Sequence, residues 1–341
     1  TSFSIWSMQI AAALYMMIGT AYFPPFRGYV MNDTRTGVAI VFSLFIIWMA
    51  RHHLRRVLRC TVGAVNDASD RAYRIAGLCF LAGCGGMFAW FLWVNVPPIH
   101  AACFVIAAIL ITLTLMRVVA ETGLPLFFLT TTNFSIFLKM LPLSLRTLPT
   151  MYFGGLLSVW LGSGQRVCAG AVAAQAMVLN RDDDVPKHMR LGGLFLLVSV
   201  VSLICGWLLI LVMTYDFSET PLLTSVAPWG RHQFRTGENL LIDTFTGVSS
   251  TPAADHLSHI LIGVLIALLL YQLCQRFPAW PLHPIGLLAA GTWCVNMIWP
   301  NVFLGWLIRN IMLQIGGTRA YLAAKPLFIG VLMGELFALF V

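Results

Sequence analysis

Lipid penalises ionisable side chains unless they pair, bind or conduct, so such residues within apolar stretches are where this sequence best supports chemistry. One set lies in Arg117-Val118-Val119-Ala120-Glu121-Thr122-Gly123-Leu124-Pro125. Arg117 and Glu121 are four residues apart, so on a helix they share a face and can pair. Gly123 and Pro125 then break that helix. Asn133, Gln165 and Arg166 place further polar groups in the apolar stretch that follows. With Thr122, these residues suit the lining of a path for a small polar solute. The plainer alternative is that Arg117 and Glu121 form an ion pair at the cytoplasmic mouth, closing a helix end. A second set is Asp255, His256 and His259. Two histidines three apart with a carboxylate nearby can begin a metal site. No further ligand accompanies them, and a solvated helix start with Asp255 near the positive end of the dipole is the favoured reading. No metal is therefore assigned.

The remaining histidines, at 52, 53, 100, 188, 232 and 283, fall in joints or near helix ends. Pigment and haem ligands usually sit well inside apolar helices, so no cofactor is expected. The eight cysteines include no CxxC pair, and most lie in apolar runs. They read as small buried hydrophobes rather than a disulfide framework or a zinc site. No Walker A loop, GxGxxG fingerprint, HExxH or GxSxG is present, and Gly162-Ser163-Gly164 lacks the lysine a phosphate loop needs. No catalytic residue is assigned and the chain is not expected to be an enzyme.

The elements that must hold these residues follow from composition. Of 341 residues, 59% are hydrophobic and 10% charged. A soluble domain carries roughly 25% charged residues, because its surface must face water. This surface is matched to lipid instead, which makes the chain an all-α, polytopic transmembrane helical bundle. A span needs about 20 mostly apolar residues. Runs at 4–24, 36–50, 75–94, 99–119, 191–214, 257–275, 285–299 with 301–315, and 326–341 give about eight spans. The 285–315 unit is either two short spans or one helix broken at Trp299-Pro300. Asn32, Asp33 and Arg35 read as a short polar loop after Pro24-Pro25. Residues 120–190 are apolar but broken by glycine and proline. They form either re-entrant helices lining a pathway or interfacial helices lying at the surface. The chain thus divides into 1–119, a broken segment 120–190, and 191–341 with an outer loop at 215–251.

The net charge is +8, concentrated in joints, above all Arg51-His52-His53-Leu54-Arg55-Arg56-Val57-Leu58-Arg59. Such a run flanks a membrane helix on its cytoplasmic side, and no nucleic-acid partner is inferred. Alternation then places Asp33, Pro97-Pro98 and the 215–251 loop outside. The 182–190, Arg276 and 319–325 joints lie inside, with Arg231 and Arg235 as exceptions.

Residues 276–338 carry a distinctive pattern: Trp280-Pro281-Leu282-His283-Pro284-Ile285-Gly286, then Gly305-Trp306-Leu307-Ile308-Arg309, then Gly316-Gly317. This resembles the C-terminal module of a large family of uncharacterised prokaryotic polytopic membrane proteins. That module has a Trp-Pro-x-His-Pro-x-Gly entry, a Gly-Trp-Leu-Ile-Lys helix and a Gly-Gly turn. The chain departs from it at Arg309, where the family usually has Lys. Arg117 to Pro125 also looks like the family's Arg-x-x-Ala-Glu-x-Gly-x-Pro motif. The resemblance implies a bacterial inner (cytoplasmic) membrane protein corresponding to the C-terminal half of longer members. Its helix pattern is loosely similar to that of oligopeptide-type transporters.

Two functions compete. The first is a secondary transporter-like carrier of a small solute, motivated by the broken polar stretch. The second is a structural or accessory subunit of a larger membrane complex. The expected partners are the bilayer, other membrane subunits or a missing N-terminal half.

Overall fold

The computed structural model describes residues 2–22, 29–63, 68–122, 147–162, 170, 173, 185–216, 253–277 and 280–340. Among them every regular element is a helix, the only open-ended structure that satisfies its own backbone in lipid. The helices are α1 (Ser2–Tyr22), α2 (Tyr29–Met49), α3 (Arg51–Val62), α4 (Ala68–Trp93), α5 (Pro98–Thr122), α6 (Leu148–Gly162), α7 (Val185–Asp216), α8 (Ala253–Arg276), α9 (Pro284–Ala289) and α10 (Trp293–Phe340). Six of these, α1, α2, α4, α5, α7 and α8, contain stretches long and apolar enough to cross a membrane. The chain is a multi-pass membrane protein with an all-α bundle fold.

The bundle centres on α2 and α8, its most extensive helix pair. Asp33 meets His256, Gly37 lies against Ile260, and Phe42 and Phe45 pack on Tyr271. Residue numbers rise together along both helices, so the two are parallel. Glycine permits the approach. A Cβ on Gly37 would lie 2.1 Å from the Ile260 carbonyl oxygen, and one on Gly263 2.0 Å from that of Thr34. Bare backbone against bare backbone is how small residues bring membrane helices together. Helix α5 completes this core through Leu115 and Val118, packed with Val38, Val41 and Phe42. Ser43 and Thr114 share a hydroxyl hydrogen bond of 2.7 Å in it. At the opposite end of α5, Phe91, Phe104 and Met151 join α4, α5 and α6.

Helices α9 and α10 form a hairpin that enters the bundle and returns. Along α1, Ser4 bonds Pro281 and His283, Gln9 bonds Gly291, and Ala12 packs with Ala290. The short α9 therefore runs parallel to α1. Helix α10 then descends antiparallel: Asn296 bonds Gln9, Phe303 packs on Trp6, and Trp306 packs on Phe3. The reversal falls at 290–292, where Gly291 takes φ 70°, a conformation that suits glycine. Local chemistry starts α9 cleanly. Pro284 occupies the first turn, where its missing N–H costs nothing, and His283 caps the helix by accepting the Ile285 N–H.

Two expectations are corrected. Asn32, Asp33 and Arg35 do not form a loop; α2 begins at Tyr29 and carries them inside the helix. The 285–315 unit does not break at Trp299-Pro300. Helix α10 passes through Pro300 and departs from helical geometry at Gly317, with φ 61°. The run 285–299 thus holds α9, the reversal and the start of α10, and 301–315 continues along α10; six helices among the described residues meet the length and apolarity of a span.

Candidate functional site

A layer of polar groups crosses the bundle at the level of the hairpin tip. Helix α2 supplies its centre. Asp33 is 0% exposed and faces α8, where His256 Nδ1 donates to Asp33 Oδ2 at 2.7 Å. His256 is itself 6% exposed, and His259 lies one turn further along α8, within electrostatic reach of the same carboxylate. Asp33 Oδ1 is buried without a hydrogen-bond partner among the described residues. Arg35, two positions on, points to the other side of α2 and is 4% exposed. Its Nε donates to the Met31 carbonyl at 3.2 Å, and its Nη2 donates to Asn32 Oδ1. Its Nη1 has no acceptor among the described residues and lies beside the Gly291 turn.

The tip is tied down from α1. Gln9 Oε1 accepts the Gly291 N–H at 2.6 Å, while its Nε2 donates to Asn296 Oδ1. Thr292, 2% exposed, donates to the Ala289 carbonyl at 2.7 Å. Ala12, which packs with Met31 and Ala290, is the middle residue of α1. The polar layer is therefore level with the centre of α1 and with the first turns of α2 and α8. Buried ionised groups are costly in apolar surroundings and persist where they are paired or used. Among the described residues a carboxylate oxygen and a guanidinium nitrogen remain unsatisfied here, the guanidinium next to backbone that is not helical.

The residues singled out from sequence are divided between two levels. Arg117 and Glu121 form the i,i+4 ion pair on α5, partly exposed, and Thr122 Oγ1 bonds back to the Val118 carbonyl at 2.7 Å. Both charges lie within electrostatic reach of Tyr271 and His283, at the end of the bundle where α8 gives way to α9. They are thus near the base of the hairpin, while Asp33 and Arg35 are at its tip. Burial pushes the His283 imidazole below its ordinary value, which keeps it neutral as a cap acceptor. Asn133, Gln165 and Arg166 lie outside the described residues, as does the side chain of Asp255. His256 is engaged by Asp33, and no three His, Cys, Asp or Glu side chains converge on a metal-sized site among the described residues.

Residues 1–341, the whole chain, match the family described as "Family of unknown function (DUF6785)". The chain belongs to this family. No curated protein and no solved structure matches it. Membership in DUF6785 brings no activity with it, so function has to be argued from the polar layer. Asp33 and Arg35 are the residues that sequence reasoning missed. One signal was available: placed on a helix, Asn32 and Arg35 are three apart and share a face, which is unusual within 20 residues of a membrane-length run.

Proposed function

We propose that this chain is the membrane-embedded core of a secondary carrier for a small polar solute. The observation that carries this reading is the polar layer at the hairpin tip, where Arg35, 4% exposed, lies beside the Gly291 turn and Asp33, 0% exposed, faces α8 from the same helix. Carriers place their sites where helices are interrupted near mid-depth, because freed backbone groups and half-helix ends then face the solute. Of the two unsatisfied groups, Arg35 Nη1 lies beside the Gly291 turn and suits a solute carboxylate, while Asp33 Oδ1, on the opposite side of α2, is left to accept from a donor on the α8 side. Arg117, Glu121 and Thr122 mark the approach from the basic end, which we assign to the cytoplasmic side of a bacterial inner membrane.

The test is uptake of radiolabelled alanine, dialanine and trialanine into proteoliposomes. At least one probe should accumulate above protein-free vesicles, and Asp33→Asn and Arg35→Gln should each lower that uptake tenfold or more. Arg276→Gln should leave it unchanged. Uptake of no probe, or uptake indifferent to both variants, overturns the assignment of a carboxylate-bearing solute to this layer. Glu121→Gln with normal flux removes Glu121 from the path.

A second reading, an accessory subunit of a larger complex, draws on α7. None of its 192–209 stretch is fully buried among the described residues, so most of that helix's surface is available to lipid or to partner helices. Migration of the mildly solubilised protein on a native gel as a lone monomer or homodimer counts against it.

A further inference from the structure

Helix α3 differs from every other helix in the bundle. It begins two residues after α2 ends and carries Arg51, Arg55, Arg56 and Arg59 within twelve residues. Leu54, Leu58 and Val62 recur every four positions and form an apolar stripe that is 41%, 59% and 89% exposed. Arg51, Arg55 and Arg59 recur with the same spacing on the adjacent stripe. A helix with one apolar and one arginine-rich face lies in the plane of the membrane boundary, its apolar side toward acyl chains and its basic side toward headgroups.

Where α3 packs on α4, the two helices enclose a cleft of ≈ 460 Å³ lined by His52, Arg55, Arg56, Arg59, Cys60 and Asp70. One of its cations is already spoken for. Arg56 pairs with Asp70 at 3.2 Å and stacks over Tyr73 at 5.2 Å, and the carboxylate holds its guanidinium above the ordinary value. Among the described residues no carboxylate pairs with Arg55 or Arg59, and Asp70 is the only acid in the lining. The cleft therefore has two guanidinium groups to offer an anion. Planar guanidinium forks match phosphate oxygens two at a time.

We propose that this cleft binds the phosphate of an anionic phospholipid headgroup, held by Arg55 and Arg59 while its acyl chains lie along the Leu54, Leu58 and Val62 stripe. The phosphate is the shared chemistry of a lipid and of the free anion, and the exposed apolar stripe beside the cleft favours the lipid. This site is separate from the polar layer and does not depend on the carrier reading.

The experiment is native mass spectrometry of the full chain in neutral detergent, titrated with phosphatidylglycerol, with phosphatidylcholine, or with inorganic phosphate as competitor. Phosphatidylglycerol should be retained in preference to phosphatidylcholine. Each of Arg55→Gln and Arg59→Gln should weaken retention about fivefold, and the double variant on the order of 25-fold. Arg276→Gln, outside the cleft, should not change it. Raising salt from about 0.05 to about 0.5 M should weaken retention by the unaltered chain, because the arginines are exposed and screened; this arm requires no variant to fold. Equal retention of the two lipids, an unaffected double variant, or salt-independent binding overturns the proposal. Displacement of the lipid by millimolar inorganic phosphate assigns the cleft to the free anion and also overturns it.

Discussion

A single methyl group placed between α2 and α8 should open the polar layer. In Gly37→Ala the new Cβ would lie 2.1 Å from the Ile260 carbonyl oxygen, 2.8 Å from the Val264 nitrogen and 3.1 Å from the Gly263 carbonyl carbon. All three are backbone atoms of a regular helix, so no side chain can rotate away. Favourable contact begins at about 3.5 Å. Relief of the oxygen contact alone thus requires α8 to retreat by ~1.4 Å, the difference between 3.5 and 2.1. One turn away, the Asp33–His256 hydrogen bond spans 2.7 Å. Stretched by the same amount it would exceed 4 Å, well outside hydrogen-bond range. Overpacking of this kind costs about 1–3 kcal/mol, and separating a buried charge from its partner costs about 3–5 kcal/mol when complete. A loss of roughly 3 kcal/mol or more is expected. The assay is thermal unfolding in detergent, read by a thiol-reactive dye as the buried Cys60 and Cys294 become accessible. The matched control is Gly83→Ala on α4, where an added Cβ meets nothing within 4 Å. There alanine should be neutral or stabilise by up to ~1 kcal/mol through helix propensity. If both variants unfold at the same temperature as the unaltered chain, the close glycine contact does not hold these helices together.

Removing His256 should be worse than removing both members of its pair. His256→Ala leaves the fully buried Asp33 carboxylate without its donor and should cost about 3–5 kcal/mol, whereas Asp33→Asn combined with His256→Ala should recover part of that loss; a double variant less stable than either single one refutes the pairing energetics. Stability should also fall with acidification through His283. Burial lowers its folded-state pKa below the ordinary 6.5, so below that pH the unfolded chain binds a proton the folded chain refuses. The stabilisation is complete above about pH 6.5 and is lost as pH drops from 6.5 toward the folded value. Unfolding temperatures measured between about pH 5 and 8 should show a shallower acid decline for His283→Asn, which still caps a helix without titrating; identical declines in the two proteins exclude His283 as the cause.

The regular spans were legible because lipid imposes one simple rule on length and polarity. Helices α1, α4, α5, α7 and α8 follow the apolar runs read from sequence, and the Arg117–Glu121 pair follows from helical spacing alone. The start of α2 was not legible for a physical reason. Asn32, Asp33 and Arg35 lower the local hydropathy to that of a loop, and what makes them tolerable in a helix is a histidine 223 positions away. No local window contains that information. The hairpin failed differently. Trp299-Pro300 looks like a break because proline lacks an N–H, yet α10 continues through it; the reversal instead uses Gly291, whose N–H donates to Gln9, 282 positions away in sequence. Of the layer's members, only His256 and His259 were singled out from sequence, and then as possible metal ligands rather than as partners of a carboxylate.

The hairpin of α9 and α10 has one consequence for any map of sidedness. Two short spans and one re-entrant hairpin leave the same parity: each returns the chain to the side from which it set out. Tags fused at joints count crossings modulo two, so they report the same answer for both arrangements. Only a label placed at the 290–292 reversal, level with the centre of α1, separates a turn buried halfway from a loop that reaches the far side.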